Sequence, residues 1–303
     1  MRAQTNITAA VVITALAALL AAGQSGRQPG LNTGGEERDR AMLLNVFAAR
    51  EADPEGRVTQ KDIAFYDGGT EQSIQTFTPD PSPARIVLLV DNSLGLRADV
   101  EKLQTAAREF AYEIYEGDQV MVIGYDKQAE IVAEWTDDAK KIEAALPQFR
   151  KQGEPHLFDA LAAVINDALG PLTGSTRKRV IVLVADGLDR GSKSGFDHIL
   201  KELQRQDITV YALQIPDRTG GALRRDRMKP AQVIQKLTDG TGGRVLSANE
   251  PREAAQAICD ELRKHRYLLA YTPASIPLLD TRRLLIVPNE GVSVRHKLQQ
   301  PGN

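Results

Sequence analysis

Three side chains in this sequence could together bind a divalent cation. Asp91 directly follows the apolar run 85–90, and Asp186 directly follows a second apolar run, 179–185. Ser93 adds a hydroxyl group two residues after Asp91. Carboxylate and hydroxyl oxygens are the ligands that Mg²⁺ and Ca²⁺ prefer in proteins. We therefore predict Asp91, Ser93 and Asp186 as metal ligands, with Mg²⁺, or else Mn²⁺ or Ca²⁺, as the ion.

The elements around these residues predict how they are positioned. Continuous apolar runs are typical of strands that are covered on both faces, as in parallel sheets. Strands that alternate with amphipathic helices, as they do here from about 84 to 265, predict an α/β fold: a doubly wound, mostly parallel sheet with helices on both faces. Ligands of such sheets bind outside the carboxyl ends of the strands. Asp91 and Asp186 therefore share one crevice if their strands are neighbours.

Apolar periodicity and turn residues place the remaining elements. Predicted strands of the α/β region are 120–125, 129–135, 209–215 and 244–246. Predicted helices are 100–115, 138–146, 157–169, 196–206, one that reaches 237, and 251–265. The glycines at 240, 242 and 243 are predicted to end a helix. In the flanks we expect a strand or short helix at 40–49, a hairpin of 63–69 with 73–77, and tail strands at 267–271, 283–287 and 292–295.

The chain accordingly divides into five predicted regions. They are a signal peptide or N-terminal anchor (1–23), a linker (24–37), an N-terminal β segment (38–83), the α/β domain (84–265) and a C-terminal β extension (266–303). A Pro-rich stretch, 79–83, marks the start of the α/β domain. We expect the flanking β segments to fold onto that domain, either as a small sheet or as an extension of the main one.

The N-terminus predicts export. Arg2 precedes an apolar run from about 7 to 22, and small residues follow at 21–23, which is the layout of a secretory signal. We therefore expect a periplasmic or extracellular protein, with membrane contact only through an uncleaved N-terminal segment. The net charge of −2 gives no indication of a nucleic-acid partner. The single cysteine, Cys259, excludes an internal disulfide and a cysteine-rich metal site.

The sequence matches none of the common catalytic motifs well. Ser93 is not in a nucleophile elbow, because Asp91 stands where that motif needs its first glycine. The four histidines (His156, His198, His265 and His296) show no spacing that indicates a catalytic triad. Neither a dinucleotide-binding glycine turn nor a phosphate-binding loop follows a predicted strand. We therefore expect a protein that is not an enzyme.

Three short motifs resemble those of the von Willebrand factor A family. Asp91-Asn92-Ser93-Leu94-Gly95 resembles the first element of its metal-ion-dependent adhesion site, 153–161 resembles the middle loop, and Asp186-Gly187-Leu188-Asp189 resembles the third element. Segments 62–68, 85–93 and 267–273 are similar to the bacterial "VWFA-related" secreted proteins of acidobacteria. The resemblance implies a doubly wound A-type domain and a protein partner, whose acidic residue takes an open position on the bound cation.

Two positions depart from the family motif. Gly95 stands where the second serine belongs, and Pro155 stands where the threonine of the middle loop belongs. Neither offers a side-chain oxygen, so we expect metal binding to be weak or absent. Of the nearby carboxylates, we expect Glu154 to be solvated and Asp159 to cap its helix or face outward. The basic cluster 223–229 is expected to be a solvated loop.

Three functions remain open on these grounds. The favoured hypothesis is an exported module that binds a protein partner, for adhesion or another interaction, through a partly degraded metal-ion-dependent adhesion site. The first alternative is a metal-dependent enzyme that uses the same carboxylates. The second alternative is a structural protein of the envelope that binds no metal.

Overall fold

The computed structural model describes residues 41–173, 178–220, 228–273 and 281–302. The predicted signal or anchor (1–23), the linker (24–37) and residues 223–227 of the basic cluster lie outside them. The strands are β1 (Met42–Arg50), β2 (Ile63–Asp67), β3 (Thr70–Gln72), β4 (Ile74–Pro79), β5 (Arg85–Asp91), β6 (Gln119–Tyr125), β7 (Ala129–Thr136), β8 (Arg179–Ala185), β9 (Thr209–Gln214), β10 (Val245–Ser247), β11 (Arg266–Tyr271), β12 (Thr281–Pro288), β13 (Val292–His296) and β14 (Gln299–Pro301). The helices are α1 (Val100–Glu113), α2 (Ala139–Ala145), α3 (Leu157–Ala163, continued by the π-helix Val164–Leu169), α4 (Phe196–Arg205), α5 (Pro230–Thr241) and α6 (Pro251–Lys264).

A six-stranded sheet forms the centre of the molecule, in the order β10-β9-β8-β5-β6-β7. All its neighbouring strands are parallel except β7, which runs antiparallel to β6. Side chains of β5 alternate between its two faces: Leu88 packs with α1, α2 and α6, whereas Leu89 packs with α3, α4 and α5. The doubly wound α/β prediction is therefore confirmed. The apolar run 85–90 is continuous because both faces of the strand are covered.

Local sequence signals account for several helix ends. Asp99 caps α1, its carboxylate accepting a hydrogen bond from the backbone N–H of Lys102 at 2.8 Å. Asp138 caps α2 in the same way. Helix α5 ends at Gly242, which has a positive φ of 83° and whose added β-carbon would meet the backbone of His296. The glycine predicted to end this helix therefore does so, and only glycine fits there.

The two flanking segments build one β unit beside the central sheet. It consists of the sheets β13-β1-β11-β4 and β14-β12-β2-β3, with apolar side chains of both in one cluster. Strand β1, from the N-terminal segment, lies between β11 and β13 of the C-terminal one. The ambiguous run at 40–49 is thus a strand, and the flanks form sheets of their own rather than extending the central one.

The predicted hairpin of 63–69 with 73–77 is wrong. Strand β2 pairs with the three-residue strand β3, and β4 pairs antiparallel with β11 in the other sheet. Phe77 of β4 stacks on Tyr267 of β11, with ring centroids 4.7 Å apart. The turn at Gly68-Gly69 does lead into a hairpin, but the partner of β2 in that hairpin is β3, and β4 pairs with β11 instead.

A buried ion pair lies between the residue after β4 and the start of β11, where Lys178 of the α/β domain contacts the β unit. Asp80 accepts a 2.6 Å hydrogen bond from Arg266, and these residues are 3% and 2% exposed. The ammonium group of Lys178 donates to the backbone carbonyl of Asp80 at 3.0 Å and is also buried. Burial lowers the pKa of Lys178 to about 8, although the charge of Asp80 opposes this shift.

Within the described residues, no helix has the length and apolar character that a membrane crossing requires.

The lowered pKa of Lys178 predicts a pH dependence of stability. Between pH 8 and about 10.4 the unfolded chain holds a proton on this lysine that the folded chain has lost, so stability rises with pH across that window. We expect the wild type to gain about 2–3 kcal/mol relative to Lys178→Met between these limits. Urea unfolding of both proteins at several pH values measures this difference, and parallel pH profiles of the two proteins would contradict it.

Candidate functional site

Asp91 and Asp186 lie side by side at the carboxyl edge of the central sheet. They end two neighbouring strands, β5 and β8, and both are completely buried. The carboxylate of Asp91 accepts hydrogen bonds from the backbone N–H of Ser93 at 2.9 Å and from its hydroxyl at 2.5 Å. Asp186 accepts one from the backbone N–H of Leu188 at 3.0 Å. The structure thus brings together all three residues predicted as metal ligands.

A residue that the sequence analysis missed occupies the centre of this group. The guanidinium of Arg218 donates to Asp186 from Nε at 2.6 Å and from Nη2 at 3.1 Å, and to the Ser93 hydroxyl from Nη1 at 2.6 Å. Its Nη2 also donates to Asp91. The backbone N–H of Arg218 adds a 3.1 Å bond to Asp186. One arginine therefore contacts every predicted metal ligand, and its side chain is only 8% exposed.

The position of Arg218 follows from the sheet order. It lies four residues after β9, which is the neighbour of β8 on the side away from β5. Three adjacent strands thus deliver Asp91, Asp186 and Arg218 to the same edge. The sequence signal was a basic residue shortly after a predicted strand.

The electrostatics of the group are those of two carboxylates sharing one fixed positive charge. Burial alone would lower the pKa of Arg218, but its bonds to Asp186 and the charges of both carboxylates outweigh burial and raise that pKa. Burial raises the pKa of the Asp91 carboxyl; Arg218 and Ser93 oppose this shift, and the nearby charge of Asp186 adds to it. With formal charges, two carboxylates and one guanidinium give this group a net charge of −1.

These residues do not fit a divalent cation while Arg218 is in place. The oxygens predicted to coordinate the ion accept hydrogen bonds from the guanidinium instead. Neither Gly95 nor Pro155 can supply a replacement oxygen from its side chain. No cluster of three or more acidic, histidine or cysteine side chains suited to a metal was found among the residues that the structure describes. Weak binding of Mg²⁺ remains an untested prediction, and the geometry opposes it.

The middle loop closes the crevice without adding a ligand. Glu154 is exposed, as expected, and forms an ion pair with Arg190 at 3.5 Å. The carbonyl of Pro155 accepts the backbone N–H of Arg190 at 2.7 Å. Asp159 neither caps its own helix nor simply faces outward. Its carboxylate accepts hydrogen bonds from the backbone N–H groups of Lys193 and Ser194, each at 2.9 Å. Asp159 therefore connects helix α3 to the loop after β8 through hydrogen bonds.

The mouth of the crevice is a shallow cavity of about 230 Å³. Its lining includes Leu94, Lys127, Leu188, Arg190 and Arg218. Leu94 is 66% exposed, and Lys127 and Arg190 are exposed too, whereas Leu188 is buried. The cavity thus combines apolar surface with two exposed cationic side chains, Lys127 and Arg190.

Ser93 is not arranged as a nucleophile. Its hydroxyl donates to Asp91 and accepts from Arg218, and its hydrogen bonds go to these two rather than to a histidine. A serine nucleophile needs a base that takes its proton and a third group that orients the base. The structure therefore gives no support to a hydrolytic role for this residue.

Comparison with known families agrees with this architecture. Residues 86–188 match the model of the von Willebrand factor type A domain family, a segment that includes Asp91, Ser93 and Asp186. This segment is similar to a von Willebrand factor type A domain. Domains of this type typically mediate protein–protein interaction, which is consistent with a protein partner. Assignment to the secreted acidobacterial subfamily stays a prediction. No curated protein sequence matches the chain.

Several solved structures are similar to this chain. An aerotolerance-related membrane protein from Bacteroides fragilis is 22% identical, with 60% of this chain and 99% of that chain covered and a TM-score of 0.45. The hypothetical protein BatB from Bacteroides thetaiotaomicron is 17% identical over 60% and 98%, with a TM-score of 0.43. A von Willebrand factor type A protein from Catenulispora acidiphila is 9% identical over 87% and 74%, with a TM-score of 0.48.

Proposed function

We propose that this chain is an exported protein-binding module that uses the crevice at the carboxyl edge of its central sheet. The observation that carries the proposal is the chemistry of the crevice mouth. Leu94 projects there with two thirds of its surface exposed, beside the exposed cations Lys127 and Arg190. An apolar side chain within a charged rim is typical of the centre of a protein-binding patch. The export half of the proposal is supported by the N-terminal signal pattern.

The mouth favours a partner segment that brings a carboxylate and an apolar side chain. Lys127 and Arg190 are exposed cations there, and Arg190 shares its charge only with the exposed Glu154, so a carboxylate of the partner would meet a counter-charge at the mouth. A volume of about 230 Å³ lies below the usual range for small-molecule pockets, which begins at roughly 300 Å³. A protein segment laid across the mouth therefore fits better than an enclosed small ligand.

In-cell photocrosslinking tests this proposal. A benzophenone amino acid is placed at position 94, and at position 285 in a matched control. Leu285 is also exposed, at 48%, but lies on β12 of the β unit. We expect a discrete crosslinked protein from position 94 in the compartment outside the cytoplasm, and none from position 285. Equal yields at both positions, or no product at position 94, would contradict a binding role for the crevice mouth.

The substitution Leu94→Asp is expected to weaken binding of the crosslinked partner at least about tenfold, because it removes apolar contact and repels an acidic segment. The free energy of unfolding should change by less than about 0.5 kcal/mol, since Leu94 is exposed. Affinity is measured by isothermal titration with the purified partner, and stability by urea unfolding. Leu285→Asp serves as the control that leaves affinity unchanged. Unaltered affinity of the Leu94 variant would contradict the prediction.

A further inference from the structure

One guanidinium contacts each of the three side chains that would otherwise hold a cation. Nε and Nη2 of Arg218 bond to the two oxygens of Asp186, Nη1 bonds to the hydroxyl of Ser93, and Nη2 also bonds to Asp91. A guanidinium is planar, permanently charged and carries five N–H donors in a fixed fork. Four of these donors are directed at the group. This is the contact pattern of a cation seated among its ligands, not of a surface ion pair.

The two departures from the family motif are consistent with the arginine. A β-carbon on Gly95 would lie 3.4 Å from both Cδ and Nη1 of Arg218. A side chain at this position would therefore begin in contact with the guanidinium. An arginine supplies its own charge and hydrogen bonds, so it needs room rather than further oxygen ligands. Gly95 provides that room, and the side chain of Pro155 adds no competing oxygen.

Charge supports the same conclusion. Asp91 and Asp186 are completely buried next to each other, and a buried carboxylate without a counter-charge is costly. Arg218 supplies one positive charge in a position where its side chain is nearly excluded from solvent. A divalent ion could enter only by displacing an arginine that is held by side-chain and backbone hydrogen bonds to Asp186.

We infer that Arg218 is a built-in cation that replaces the metal of the adhesion site, and that a divalent-cation site forms here only when this side chain is removed. The crevice of the wild-type protein is then independent of Mg²⁺ and is kept assembled by a covalently attached charge. This inference concerns the chain's own residues, so it holds or fails separately from the proposal that the crevice mouth binds a protein.

Metal titration of the full chain and its variants tests the inference. Binding of Mn²⁺ is followed by electron paramagnetic resonance, and thermal unfolding is recorded in EDTA and in excess Mg²⁺. The wild type should bind no Mn²⁺ at this site and should keep the same Tm in both conditions. Arg218→Ala should bind one Mn²⁺, and its Tm should rise by about 5–10 °C when Mg²⁺ is about 100-fold above Kd. Adding Asp91→Asn to Arg218→Ala should abolish both effects.

Two further variants keep the test decisive. Arg190→Ala removes a positive charge from the same cavity but leaves Asp91 and Asp186 paired, so it should gain no metal site. Arg218→Gln removes the charge while preserving part of the side chain, and replaces the alanine variant if that protein does not fold. Saturable, Asp91-dependent Mn²⁺ binding by the wild type would overturn the inference. The absence of binding in folded Arg218 variants, or an equal gain in Arg190→Ala, would also overturn it.

Discussion

Replacement of Arg218 by alanine is expected to lower the free energy of unfolding by about 3–5 kcal/mol at pH 7 in EDTA. The reason is that Asp91 and Asp186, both completely buried, would lose their counter-charge and their hydrogen bonds to the guanidinium at the same time. Removing one member of a buried ion pair is costly because the other charge stays in a poorly solvating environment. The loss is measured by equilibrium urea unfolding of both proteins.

Two comparisons separate this effect from simple loss of a surface charge. Arg190→Ala should cost less than about 1 kcal/mol, because its ion pair with Glu154 is half exposed. Combining Arg218→Ala with Asp91→Asn and Asp186→Asn should recover more than half of the loss, since no unpaired charge then remains buried. A loss below about 1 kcal/mol for Arg218→Ala, or no recovery in the triple variant, would contradict this explanation.

Much of the central domain could be predicted from the sequence because its signals are local. The apolar runs 85–90 and 179–185 are long enough to identify strands covered on both faces, and each ends at an aspartate. An aspartate at that position accepts backbone N–H groups of the following turn, as Asp91 and Asp186 do. Neighbouring parallel strands end at one edge. The meeting of the two carboxylates could therefore be predicted on the condition that the two strands are neighbours, which the structure supplies.

The arginine could not be predicted in the same way, because its role depends on strand order. Nothing local in Ile215-Pro216-Asp217-Arg218 distinguishes a guanidinium directed into the crevice from one directed into solvent. Only the placement of β9 beside β8 brings Arg218 to the carboxylates. The contrast with Asp91 and Asp186 is physical: a backbone turn fixes their positions, whereas tertiary packing fixes the position of the arginine.

The strand pairing of the β unit could not be predicted from the sequence for a related reason. Its strands come from both ends of the chain, and contacts such as β1 with β11 join residues more than two hundred positions apart. Strand periodicity indicates that a segment is extended but says little about which strand will be its partner. The predicted hairpin of 63–69 with 73–77 failed on this point, since β4 is a strand but belongs to the other sheet. Strand β14, only three residues long, was not predicted at all.

The buried pair of Asp80 with Arg266 is one of the contacts that hold this long-range assembly together. Asp80 precedes the first strand of the central sheet, and Arg266 begins β11 of the β unit. We expect Asp80→Asn to lower the free energy of unfolding by about 3–5 kcal/mol at pH 7, because the buried Arg266 would lose the carboxylate that accepts its 2.6 Å hydrogen bond. Urea unfolding measures the loss, and Glu143→Gln, at an exposed ion pair with Arg108, should lose less than about 1 kcal/mol.

The same aspartate gives this prediction a pH signature. Burial alone would raise the pKa of Asp80, but the charge of Arg266 and the hydrogen bonds from Ser82 outweigh burial and lower that pKa. A carboxyl whose pKa is lower in the folded chain than in the unfolded chain stabilises the fold above the unfolded value, about 3.9, and loses this contribution as the pH falls through the folded value. The stability difference between wild type and Asp80→Asn should therefore be constant near neutral pH and shrink as the solution is acidified below about pH 4. If this stability difference stays constant down to the acid unfolding transition, the charge of Asp80 does not account for the stabilisation.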